Sequence, residues 1–118
     1  MLLSALNCFK HRLAYRGMEP ELKLIDFFAS WCQPCRAQSR VLRELRKQAP
    51  WVKVVKVNVE TRRGRELAAK MKVRALPTLV LEKDGREVKR WVGFTPISKL
   101  LKEIEKQRSG RKPWWRIF

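Results

Sequence analysis

The chain has 118 residues, 45% of them apolar, which makes one domain with material for a single core and excludes disorder along its whole length. Its 28 lysines and arginines against 11 acidic residues give a formal charge of +17; such a field draws anionic partners or simply solvates the surface. Three cysteines exclude a disulfide-stapled scaffold, and no apolar run is long enough for a membrane-spanning helix.

The first predicted element lies in residues 1–21. Leu2, Leu6, Phe9 and Leu13 recur at near-helical spacing, with Lys10, His11, Arg12 and Arg16 on other faces. This is a short basic amphipathic helix, ended by Gly17 and Pro20, that packs on the domain or lies on a membrane or partner surface. The apolar start has no basic residue before it and is shorter than a signal-peptide core, so export is not expected and the expected location is cytoplasmic.

Leu22 to Ala29 reads as a buried strand that carries one carboxylate, Asp26. It runs into Ser30-Trp31-Cys32-Gln33-Pro34-Cys35, after which Ala37, Val41, Leu42 and Leu45 mark a helix closed by Pro50. Val52, Val54, Val55, Val57 and Val59 predict a second strand, and Leu67, Ala68 and Met71 a short basic helix. Thr78 to Leu81 is a third strand, turned by Asp84-Gly85 into a partner over Glu87–Val92. A last helix follows Thr95-Pro96, with Ile97, Leu100, Leu101 and Ile104 facing inward. The order α-β-α-β-α-β-β-α predicts an α/β domain, a central mixed sheet with helices on both faces and its core over residues 22–106.

Residues 107–118 form a basic-aromatic tail, in which Arg108, Arg111, Lys112 and Arg116 mix with Trp114, Trp115 and Phe118. That mixture suits an anionic membrane interface, a protein partner, stacking on single-stranded nucleic acid, or docking back onto the domain.

The spacing Cys32-x-x-Cys35 sets two thiols about one helical turn apart at a helix start. Cys32 then faces the unpaired N–H groups and the positive end of the helix dipole, which favours the attacking thiolate. Cys35, one turn in, is more sheltered, so Cys32 attacks and Cys35 resolves. Pro34 suits the first turn, and Gln33 adds no charge, which leans toward a reductant. The competing reading is a tetrahedral zinc site completed by Cys8 and His11, and counting alone does not remove it.

The stretch Asp26-Phe27-Phe28-Ala29-Ser30-Trp31-Cys32-Gln33-Pro34-Cys35 resembles the active-site segment of the thioredoxin family. The likeness continues in order through Val55-Lys56-Val57-Asn58, Ala75-Leu76-Pro77-Thr78, Lys83-Asp84-Gly85 and Val92-Gly93, over roughly residues 22–106. The resemblance implies a thioredoxin fold and thiol–disulfide oxidoreductase activity that needs no cofactor beyond the Cys32–Cys35 pair and no metal. It implies that Asp26 is a buried carboxylate exchanging a proton with Cys35, and that Lys56 approaches it from the neighbouring strand. Burial of an Asp in an apolar strand should raise its pKa, which suits that task. The resemblance further implies that Pro77 is a cis-proline, turning the Leu76 backbone toward a substrate chain, with Trp31 and Gly93 flanking the reactive sulfur. With Gln33 and Pro34 these residues make the expected substrate surface.

Three departures stand out. Gln33 occupies a position where the family usually has Gly, Phe28 one where many members have Trp, and the segment before Leu22 lacks a clear first strand, so the sheet is expected to have four or five strands. The expected function is reduction of protein disulfides, with acidic substrates favoured by the charge. Electrons come from a flavin-dependent reductase or a small thiol, and the domain is expected to be monomeric. The alternatives are a thiol oxidase or isomerase at a membrane surface or outside the cytoplasm, and a basic binding module whose thiols are incidental.

Overall fold

The computed structural model describes residues 20–109; the expected N-terminal helix and most of the basic-aromatic tail lie outside them. Seven elements follow in order: β1 (Leu22–Phe28), α1 (Gln33–Gln48), β2 (Val52–Asn58), α2 (Arg62–Lys70), β3 (Thr78–Lys83), β4 (Arg86–Val92) and α3 (Ile97–Ser109). The last helix runs to Ser109, so Gln107 and Arg108 are helical.

The strands form one sheet in the order β2-β1-β3-β4, four strands among the described residues. β1 pairs in parallel with β2 and antiparallel with β3, and β3 pairs antiparallel with β4. With a strand on each side and helices above and below, β1 is apolar on both faces. Leu22 and Leu24 point into a core with Leu42 and Leu45 of α1 and with Leu100 and Ile104 of α3. Ile25 and Phe27 point the other way, into a smaller core with Val80 and with Ala68 of α2. Leu24, Leu45, Leu79, Leu81, Leu100 and Ile104 are wholly removed from solvent, each contributing about 1.5–3 kcal/mol of hydrophobic stabilisation.

Local chemistry fixes the connections. Asp84 and Gly85 both have positive φ (52° and 83°), the backbone of a two-residue hairpin whose turn follows the twist of the strands. Asp84 also ties that hairpin to the start of β1: its Oδ1 accepts the Glu21 N–H at 2.9 Å, and its own N–H donates to the Glu21 carbonyl at 2.9 Å. A bulge interrupts the β3–β4 register between Leu81 and Glu82. Thr61 caps α2, its hydroxyl accepting the Gly64 N–H at 3.0 Å. Gly64 itself sits against the end of β2, where a Cβ would lie 1.8 Å from the Asn58 carbonyl oxygen.

Candidate active site

The site begins where β1 ends. Phe28 and Ala29 carry the chain into a turn, closed by the Cys32 N–H donating to the Ala29 carbonyl at 3.2 Å. Cys32 is then the N-cap of α1, with extended backbone, and its sulfur accepts the Cys35 N–H at 3.3 Å. Pro34 lies in the first helical turn, as expected. Cys32 and Cys35 are joined as a disulfide, their Cα atoms 5.2 Å apart. In this oxidised state both are buried, Cys35 slightly the more, in a small cluster with Ala29 against which Phe28, Val59 and Leu76 pack. Trp31, one residue before the pair, is 69% exposed.

A second chain segment meets the cluster from β3. Leu76 packs on it, and the Leu76–Pro77 peptide is cis. The Pro77 carbonyl accepts the Gly93 N–H at 2.7 Å, which holds the turn after β4 beside the turn before β3. Gly93 has φ of 90°, a conformation that a side-chain-bearing residue rarely adopts. The structure thus gathers Cys32, Cys35, Leu76, Pro77 and Gly93 at one corner, with Trp31 and Phe94 as exposed apolar neighbours in the chain. Gln33 and Pro34 line an open cleft with Arg36, Ala37 and Arg40.

Two residues before Phe28 on β1 stands Asp26. It pairs across the sheet with Lys56 and Leu79, and none of its surface reaches solvent. The Lys56 Nζ is 3.8 Å from Asp26 Oδ2, 4.6 Å from the centre of the Phe28 ring, and donates a hydrogen bond to the Ser39 hydroxyl on α1. Neither carboxyl oxygen of Asp26 has a hydrogen-bond partner. Burial pushes its pKa up from 3.8 to about 6, against the pull of the Lys56 charge in the other direction. Lys56 itself keeps about a third of its side chain exposed (34%), so it both faces Asp26 and reaches solvent.

Two contributors escaped the sequence reading. Gln38 is fully buried and bonds both polar groups of the Thr95 backbone, joining α1 to the turn that holds Gly93. Its signal was a polar residue on the apolar side of α1, between Cys35 and Leu42. Glu60 accepts the Ser30 N–H at 2.6 Å, which holds its carboxyl below the usual range, while Arg36 donates to the Ser30 carbonyl at 3.0 Å. The turn that presents Trp31 and Cys32 is therefore clamped on both sides of Ser30.

Residues 5–106 match the family model described as Thioredoxin. The chain belongs to the thioredoxin family. It is similar to thioredoxin of Chlamydia trachomatis, 41% identical over 87 residues that cover 74% of this chain and 83% of the relative. It is also similar to thioredoxin C-2 of Corynebacterium nephridii, 43% identical over 70% of this chain and 75% of the relative. Among solved structures, Fasciola hepatica thioredoxin superposes with a TM-score of 0.67 at 36% identity, covering 84% of this chain and 92% of that one. With the Cys32–Cys35 disulfide in place, this thioredoxin-family chain is a thiol–disulfide oxidoreductase. Among the described residues no group of three or more His, Cys, Asp or Glu could hold a metal ion; Cys8 and His11 lie outside them.

Proposed function

We propose that the protein works as a reductant of protein disulfides in the cytoplasm, with Cys32 as the attacking thiol and Cys35 as the resolving one. The observation that carries this reading is the placement of Cys32 at the N-cap of α1, its sulfur facing a backbone N–H, with no charged residue between the two cysteines. In the reduced protein that N–H stabilises a Cys32 thiolate. The thiolate attacks one sulfur of a substrate disulfide; a protein–substrate S–S bond forms, the substrate bond breaks, and the leaving thiolate takes up a proton. Cys35 then gives its proton toward the Asp26 carboxylate and attacks Cys32 Sγ. The Cys32–Cys35 bond closes and the second substrate thiol departs, so two electrons have passed to the substrate.

Asp26 is the proton acceptor in this scheme because its pKa of about 6 lies near neutrality. Lys56 is a positioning residue that steadies the ionised carboxylate. Leu76 and Pro77 offer backbone to an extended substrate segment, Gly93 leaves room for it, and Trp31 is the apolar wall. A flavin-dependent reductase or a small thiol restores the dithiol, and a reducing compartment suits such a cycle.

Two measurements test this. A Cys35→Ser variant should accumulate a mixed disulfide through Cys32 with a disulfide-bonded peptide, whereas Cys32→Ser should give none. The reduction potential of the pair should lie near the about −270 mV of reductants in this family, and a value near about −120 mV would make the protein an oxidase.

A further inference from the structure

Among the described residues Lys23 pairs with Glu82, Lys56 with Asp26, Arg62 with Glu66, Arg90 with Glu87 and Arg108 with Glu105, while other cations such as Lys53, Arg63 and Lys89 form no ion pair. On α1 four such cations fall in line. Arg36, Arg40, Arg43 and Lys47 follow one another at spacings of four, three and four, which at about 100° per residue puts them in a stripe about 60° wide. The stripe is about 16 Å long at 1.5 Å per residue. All four are exposed, on the side opposite the buried Cys35, Gln38, Leu42 and Leu45. None enters an ion pair with another described residue, and the one acid of α1, Glu44, forms none either. Like charges at these spacings work against the helix, and beyond the bond of Arg36 to the Ser30 carbonyl and the place of Lys47 in the last turn the stripe has no structural role among the described residues. Its first two members, Arg36 and Arg40, line a cleft of about 410 Å³ together with Gln33, Pro34 and Ala37, directly beside the redox pair.

We propose that this stripe is a docking track for an acidic segment of the polypeptide whose disulfide is being reduced. The inference rests on the disulfide-reductant reading above. The target cystine lies at Cys32, and the acidic flank runs from the cleft along Arg40 and Arg43 to Lys47. The occupant is polypeptide because the track starts at a centre that acts on cystine. Carboxylates are favoured there because three of its four members present guanidinium forks. Attraction along the track raises the encounter rate and holds the cystine over the reactive sulfur.

The test uses the full chain and a variant with Arg43→Glu and Lys47→Glu. Arg36 is left alone because it clamps Ser30, and Arg40 because it lines the cleft beside the redox pair. The probes are two disulfide-bonded peptides, alike except that one carries glutamates beside its cystine where the other carries glutamines. At low salt the wild type should reduce the acidic peptide about tenfold faster, as kcat/KM, and the advantage should vanish at high salt. The variant should lose or invert the preference while reducing the neutral peptide at the wild-type rate. Equal rates for the two peptides in the wild type, or a preference that survives in the variant, overturns the track. Cystine-free versions of the peptides, followed by fluorescence anisotropy, report the same ratio without chemistry; failure to reduce the neutral peptide counts against the reductant reading and leaves this ratio to decide the track. If a single-stranded oligonucleotide binds and the variant loses that binding while the peptides bind alike, the stripe belongs to nucleic acid and the proposal falls.

Discussion

Gln38 and Thr95 exchange two hydrogen bonds across 57 positions of sequence: Gln38 Nε2 donates to the Thr95 carbonyl at 2.9 Å, and the Thr95 N–H donates to Gln38 Oε1 at 2.8 Å. Thr95 in turn donates through its hydroxyl to the Gly93 carbonyl at 3.1 Å, and Gly93 donates to Pro77. One buried amide thus links the helix that carries the redox pair to both turns that face it. A Gln38→Leu variant keeps the volume but orphans the Thr95 N–H and carbonyl. At about 1–3 kcal/mol for each of the two buried groups left unpaired, denaturant unfolding should show a loss of about 2–6 kcal/mol. The KM for a disulfide peptide should rise as well, because the Gly93 turn is no longer held. A loss below about 0.5 kcal/mol would show that water replaces both bonds.

The raised pKa of Asp26 has a stability consequence whose sign is opposite to that of a paired surface carboxylate. A carboxyl at 3.8 in the unfolded chain and at about 6 in the folded one binds its proton more tightly when folded. Stability is therefore highest below about pH 4 for this group, falls as pH rises toward about 6, and stays lowered above it. Two pH units correspond to about 3 kcal/mol. With the disulfide closed, Asp26→Asn should therefore gain stability over the wild type by up to about 3 kcal/mol at pH 8, and little at pH 4. A difference that does not grow between those limits would mean the buried carboxyl is not taxed in this way. The same variant should slow resolution by Cys35, seen as a longer-lived mixed disulfide.

Gly64→Ala should destabilise, although alanine is the better helix former by about 1 kcal/mol. The added Cβ would meet the Asn58 carbonyl oxygen at 1.8 Å and its carbon at 2.6 Å, and both are backbone with no flexible end to yield. The cost should outweigh the propensity gain, leaving a net loss of about 1–3 kcal/mol in thermal or denaturant unfolding. Asn58 Oδ1 accepts the Glu60 N–H at 2.9 Å, and Glu60 holds Ser30, so a shift at Asn58 should also lower the peptide reduction rate. A variant as stable as the wild type would show that α2 can slide away from β2.

Much of this was legible in the chain because it depends on neighbours in sequence. The apolar run of β1, the Cys32 cap, Pro34 in the first turn and Asp84-Gly85 in the hairpin each follow from a few adjacent residues, and each stands where expected. What the residues by themselves left open depends on register. The run Val54-Val55-Lys56-Val57 does not say which face Lys56 takes; the pairing of Asp26 with Lys56 decides it. Gln38 and Glu60 owe their roles to Thr95 and Ser30, partners 57 and 30 residues away; local pattern marks Gln38 as a polar residue on an apolar face but names neither partner.

The exposed β4 edge bears on how copies behave when crowded. A sheet margin with unpaired N–H and carbonyl groups invites another copy to add a strand. Here the margin reads Arg86-Glu87-Val88-Lys89-Arg90, and the register shift opposite Leu81 and Glu82 leaves Val88 of this strand without a partner, a bulge in the edge itself. A second β4 laid alongside would bring lysine and arginine against a surface already crowded with positive charge. Such a charged, bulged margin disfavours strand addition by a second copy beside the Gly93 turn.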